Sequence, residues 1–260
     1  MKEPDHRAAS DGNRSAAPVT GVEGLPASAI VERLSIGIGN DDAIEILSMP
    51  GEHLEIPRAV DAWVDAGAGA DEGPSFWMAF QGCRIRWSPS RCAILAPADR
   101  LGPIRGAVIE VSGHDRIVRQ VERSFEATWP ELDADASLAF EFEERAVRRR
   151  GELRDRLRRV LHLRALLARI APVVLAPPIY PPTLASQVAD RLRERLRLVA
   201  RHDAASLQAD VFRDTYDMCG QRASDFMLAR AGNRLEWVVI VLLATQLLLW
   251  MFEYLVMAGQ

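Results

Sequence analysis

Apolar positions change their spacing along the chain, and each change marks a different kind of element. From residue 22 to 129 they fall in short runs separated by turn residues: 33–38 (RLSIGI), 43–47 (AIEIL), 75–80 (SFWMAF), 83–87 (CRIRW), 91–96 (RCAILA) and 105–112 (RGAVIEVS). Alternation of this kind fits half-buried strands. Gly39, Asn40, Asp41 and Asp42 read as a hairpin connection. Residues 57–66 read as a short helix with Pro57 in its first turn, and 67–74 as a loop. Residues 114–128 predict an amphipathic helix, with Ile117, Val121 and Phe125 four apart on one face. The expectation for 22–130 is an α+β domain with an antiparallel sheet.

The texture then changes. Trp129 and Pro130 mark the expected boundary, because proline disfavours helical geometry at the residue before it. Residues 131–234 predict a bundle of long helices. Within 138–170, Leu153, Leu157, Val160, Leu163, Leu167 and Ile170 step by three or four residues, as one buried seam requires. Leu138, Phe140, Phe142, Leu161 and Leu166 lie off that seam. Five prolines in the eleven positions 172–182 predict a rigid extended turn. A second helix is expected from Thr183, with Leu184, Val188, Leu192, Leu196 and Val199 on one side, ending near His202 and Asp203. A third, 205–231, leads through Gly232 towards the last apolar stretch.

That stretch, 235–258 (LEWVVIVLLATQLLLWMFEYLVMA), predicts one transmembrane helix, since spanning a hydrocarbon core takes about 20 apolar residues. From Trp237 onward its strongly polar interruptions are Thr245, Gln246 and Glu253. At 1.5 Å per residue Glu253 lies about 24 Å beyond Trp237, near the far edge of the bilayer. Trp237 suits the near interface and Trp250 belongs to the same anchor. Gln246 falls at mid-bilayer, where its amide either bonds across a helix pair or bonds a carbonyl of its own helix. Arg222, Arg230 and Arg234 precede the span and no Lys or Arg follows Arg234, which places the preceding chain on the cytoplasmic side of a bacterial inner membrane. The expected arrangement is a single-pass tail anchor.

Composition narrows the function classes. Formal charge is −4. Residues 1–130 carry 13 Lys plus Arg against 19 Asp plus Glu, and 131–260 carry 19 against 17, too mild a bias for a nucleic-acid-binding domain. Residues 1–21 read as a polar, disordered tail without a secretory h-region. Cys83, Cys92 and Cys219 lack the close pairing of zinc ligands and read as reduced thiols. His6, His53, His114, His162 and His202 are scattered, so no metal site is expected. His162 and His202 read as surface or bundle-edge residues. Gly37, Ile38, Gly39 and Asn40 resemble the start of a dinucleotide loop but lack its third glycine and following helix, so no cofactor is expected. Glu141, Glu143 and Glu144 can pair with Arg145 and Arg148 at helical spacing. Arg148, Arg149, Arg150, Arg154, Arg156, Arg158 and Arg159 form the densest charge cluster. Arg148, Arg149, Arg150, Arg154 and Arg158 offer a basic face for anionic lipid headgroups, RNA phosphates or an acidic patch on another copy, or form a solvated helix surface.

Asn233 through Leu243 (NRLEWVVIVLL) resembles the C-terminal signature of the required-for-meiotic-nuclear-division (YagE) family, in which helices lead into Leu-Glu-Trp and an isoleucine-rich span. The layout upstream is similar. Gln246 stands where that pattern carries an acidic residue, and the proline-rich turn 172–182 is an addition to it. The resemblance implies a membrane-anchored homo-oligomer; eukaryotic members include mitochondrial inner-membrane proteins supporting organellar translation. It supplies no catalytic residues.

Two function classes follow. One is a non-enzymatic, membrane-anchored, homo-oligomeric scaffold or adaptor whose α+β domain meets a cytoplasmic protein. The other is a membrane-anchored enzyme with its site in that domain, marked by a pocket with convergent polar groups. A magnesium-transporter-like channel has a comparable outline but needs a second span, which this sequence lacks.

Overall fold

The structure is a computed structural model that describes Leu25, residues 28–36, 43–51, 58–67, 73, 75–140, 149–176 and 181–258, with side chains as far as Met251. The expected tail 1–21, the turn 37–42, His53, Pro57 and the carboxylate cluster 141–144 with Arg145 and Arg148 lie outside the described residues. The fold is α+β: a five-stranded sheet precedes long helices.

Strands β1 (Ile30–Ser35), β2 (Ala43–Pro50), β3 (Phe76–Phe80), β4 (Cys83–Trp87) and β5 (Arg91–Ala96) form one sheet in the order β1-β2-β5-β4-β3. Pairs β1–β2, β3–β4 and β4–β5 are antiparallel, whereas β2 and β5 run parallel, with Ile46 opposite Cys92. The sheet is therefore mixed rather than wholly antiparallel. The intervening 40 residues or so supply the crossover that a parallel pair needs, including helix α1 (Arg58–Gly67) and the β3–β4 hairpin. Gln81 (φ 46°) and Gly82 (φ 77°) close that hairpin as a two-residue loop with both residues left-handed, the geometry that matches strand twist. One sheet face buries Val31, Leu47, Met49, Ala93 and Leu95 against Val60 and Val64 of α1.

Helix α2 (Ala98–Ala136) covers the other face, where the Trp87 indole donates to Ser112 Oγ at 2.9 Å and Arg105 pairs with Glu32 at 2.5 Å. Residues 105–112 are thus helix, not strand. Their β-branched composition mimics a strand, but Ile104, Val111, Val118, Phe125 and Leu132 recur every seven residues and are all buried. The expected break at Trp129 and Pro130 is likewise absent. Pro130 is exposed, as is Glu126 four residues before it, so the carbonyl that loses its partner faces water.

A 3₁₀ turn, Ser137–Ala139, follows α2, where a helix had been expected from Leu138. Helix α3 (Arg150–Val174) buries Leu153, Val160, Leu167 and Ile170 of the expected seam and half-buries Leu157 and Leu163. It runs through Pro172, again with the ring exposed, so the helix continues to Val174 past the expected start of the proline-rich turn, of which 177–180 lie outside the described residues. Helix α4 (Leu184–Arg195) starts at a reciprocal cap between Thr183 and Ser186. It ends eight residues before the expected Asp203, because Arg197 adopts a left-handed conformation (φ 50°). Helix α5 (Leu198–Ala258) then continues for 61 residues without a break at Gly232. The chain divides into two compact units, one of Met1–Arg123 with Leu166–Ala205 and one of Ser124–Ala165 with Ser206–Gln260.

Candidate functional site

Helix α5 is long and apolar enough to cross a membrane. From Leu235 to Met251 its large apolar side chains are all more than half exposed, between 52% at Met251 and 73% at Trp250. Apolar surface exposed on every side of a helix is costly in water and costs nothing in hydrocarbon. Thr245 donates its hydroxyl to the Val241 carbonyl at 2.7 Å, which satisfies the group inside the helix as a lipid environment demands. Trp237 and Trp250 lie exposed about 20 Å apart along the axis. Gln246 is exposed between them, and the side chain of Glu253 lies outside the described residues. Arg222, Arg230 and Arg234 are exposed on the same helix before the apolar segment.

The arginine cluster is less uniform than its sequence implied. Arg148 lies outside the described residues. Arg149 is turned inward, pairing with Asp135 at 2.9 Å and Glu152 at 3.0 Å. Arg156 pairs with Asp135 and, at 3.2 Å, with Glu131. Arg150 and Arg154 are exposed, the former 4.0 Å from Met227 Sδ, and Arg158 is exposed with Asp155 at 3.9 Å. The basic face is thus reduced to Arg150, Arg154 and Arg158 among its described members, while Arg149 and Arg156 anchor a buried carboxylate.

Asp135 is completely buried in the second unit, beside the Cys219 thiol that donates to its main-chain carbonyl at 3.6 Å. The neighbouring Tyr216 phenol is raised above its ordinary pKa chiefly by burial. A second such centre lies in the first unit. Asp115 accepts from Arg119 and Arg201, both at 2.6 Å, and Arg201 also holds Glu122 at 2.8 and 2.5 Å. Burial lowers the Arg201 pKa, but the bonds and charges of Glu122 and Asp115 outweigh it and the net shift is upward. Sequence reasoning missed both centres. The i, i+4 spacing of Asp115 and Arg119 was visible, but nothing local points from Asp115 to a partner 86 positions away.

The first unit also has an open cleft of about 500 Å³ lined by Ser35, Ile36, Glu110, His114, Leu166 and Arg169. The His114 imidazole is held below its ordinary pKa of 6.5, mainly by burial; Glu110 pulls upward and Arg193 downward. Its Nδ1 is buried without a hydrogen-bond partner. His202, expected near the surface, is buried with Nε2 3.2 Å from the Leu167 carbonyl. Cys83, Cys92 and Cys219 are buried free thiols, and burial raises the pKa of the latter two. Among the described residues no group of three or more His, Cys, Asp or Glu is placed to hold a metal. No protein-family model matches the chain, and no curated protein or solved structure matches it.

Proposed function

We propose that the chain is a membrane-anchored, homo-oligomeric scaffold or adaptor without catalytic activity, in which α5 crosses the bilayer and the α+β region meets a protein partner. The observation that carries this reading is the exposed, predominantly apolar surface from Leu235 to Met251. Arg222, Arg230 and Arg234 before the span support a cytoplasmic location for the preceding residues at a bacterial inner membrane. The resemblance of Asn233 through Leu243 to the YagE family supports the same arrangement. Exposed Arg150, Arg154 and Arg158 are available to an acidic surface. Deleting 235–260 is expected to move the protein to the soluble fraction; carbonate-resistant membrane association of the truncated chain overturns the anchor.

A second reading, an enzyme or ligand-binding protein, is favoured by the cleft that His114 lines with Glu110 and Arg169, where burial holds the imidazole below its ordinary pKa. A small molecule that raises the melting temperature of the full chain but not of His114→Gln decides for it.

A further inference from the structure

We propose that the outward faces of α3 and α5 in the second unit form a docking surface for a second copy of this chain. The inference rests on the membrane-anchor reading and adds to it the surface and geometry of assembly.

Within that unit α5 buries Ala209, Phe212, Tyr216, Cys219 and Ala223. Leu207, Val211, Asp214, Met218 and Asp225 recur at intervals of four, three, four and seven and so share the opposite face. Leu207 is 67% exposed, Val211 44% and Met218 41%. Helix α3 has a matching stripe. It buries Leu153 and Val160, while Arg154, Arg158, Leu161 and Ala165 line up outward, with Leu161 46% exposed. Leu207, Val211 and Met218 make one exposed apolar stripe on α5, to which Leu161 adds a large apolar side chain on α3, more than the single scattered residues normal for a surface.

Charge identifies the occupant. Arg156, Arg159 and Arg164 pair inside the unit with Asp135, Glu131 and Asp210. That leaves Arg154 and Arg158 on the outward face of α3 and Asp214 and Asp225 on that of α5. A basic face on α3 and an acidic, apolar face on α5 of the same chain are complementary to each other in a second copy, as a two-fold interface requires.

Register agrees with charge. Arg164 meets Asp210 at 3.0 Å and Arg150 lies by Met227, so α3 and α5 run antiparallel in this unit. Three residues before Arg164 is Leu161, and three after Asp210 is Arg213; Leu161 therefore lies level with the turn between Val211 and Asp214. By the same count Arg158 lies level with Tyr216, between Asp214 and Met218. Two copies inserted in one bilayer with α5 along the two-fold axis keep these levels. Leu161 of one copy then meets Val211 of the other, and Arg158 meets Asp214. Asp214 already accepts from its own Arg213 at 2.6 Å, so the incoming guanidinium shares a carboxylate that is oriented in advance.

The test uses the full chain in native membranes. Copies with different tags, one Leu161→Cys and one Val211→Cys, are expressed together and mildly oxidised; the native thiols are buried and do not compete. A mixed-tag disulfide dimer is expected at a yield at least about fivefold above that of Leu161→Cys alone or of His162→Cys with Val211→Cys, as interface placement of only the first pair requires. In mild detergent, Arg158→Glu and Asp214→Arg are each expected to weaken dimerisation about tenfold, and the doubly reversed chain to recover it. Carbonate extraction of the same membranes reads the anchor separately. A carbonate-resistant chain with no mixed-tag excess overturns this surface and leaves the anchor standing. A carbonate-soluble chain overturns the anchor, and recovery failing in the double reversal overturns the Arg158–Asp214 pairing.

Discussion

Asp115 and Asp135 are almost wholly buried, and each is held by two guanidinium groups. Burying a carboxylate is expensive unless charge and hydrogen bonds compensate, and arginine is the side chain that can reach two acceptors in one plane. Arg201 does so between Asp115 and Glu122, a geometry lysine does not reproduce. His114 behaves in the opposite sense. Its folded pKa lies below the ordinary 6.5, chiefly through burial, so below that pH the unfolded chain takes up the proton first. Stability associated with His114 is therefore full above 6.5 and lost as pH falls from there towards the folded value. Melting followed from pH 7.5 to 5 in detergent is expected to fall for the parent protein and to fall less for His114→Gln. Equal slopes would mean that the imidazole titrates as freely in the fold as outside it.

At the scale of elements, the long helices are set by buried periodicity against local propensity. Proline inside a helix costs about 3 kcal/mol relative to alanine, yet α2 passes through Pro130 and α3 through Pro172. Packing on both sides holds α2 together: Phe212 meets Phe125 at 5.0 Å and the edge-on Trp129 at 4.8 Å, just before Pro130, and Leu132 is buried just after it. Pro130→Ala restores a backbone bond at an exposed site where helix is already imposed. It is expected to raise the melting temperature by about 2–4 °C for each kcal/mol recovered, whereas a flexible boundary at this point would give no change. The same competition explains what could be read beforehand. Strands 83–87 and 91–96 were legible to the residue because their turns, Gln81 with Gly82 and Ser88 to Ser90, are local. Residues 105–112 were misread because Val and Ile favour strands in isolation, and Pro103 and Pro130 hid the seven-residue stepping from Ile104 to Leu132. The long apolar helix was legible, since its apolar character depends on composition alone. The inward turn of Arg149 and Arg156 was not, because it depends on a carboxylate brought from the preceding helix.

For the molecule as a whole, the decisive asymmetry is along α5. One continuous helix carries the exposed arginines Arg222, Arg230 and Arg234 at one end of the apolar segment, and from Leu235 to Met251 only Glu236 is charged. Moving a cationic side chain through the bilayer centre costs about 2.5–3.5 kcal/mol on insertion scales, so in the proposed anchor the three arginines favour one orientation. Both compact units are built from residues preceding Leu235, together with the span itself. On the proposed single-pass anchor, the residues preceding Leu235 lie on the arginine side. Protease added outside intact spheroplasts is expected to leave an epitope fused before residue 30 undigested, and to digest it once the inner membrane is permeabilised. Reversing Arg222, Arg230 and Arg234 to glutamate, with Lys added after 258, is expected to expose the epitope in intact spheroplasts. Accessibility of the unaltered chain from outside would invert the topology, and with it the assignment of a cytoplasmic partner.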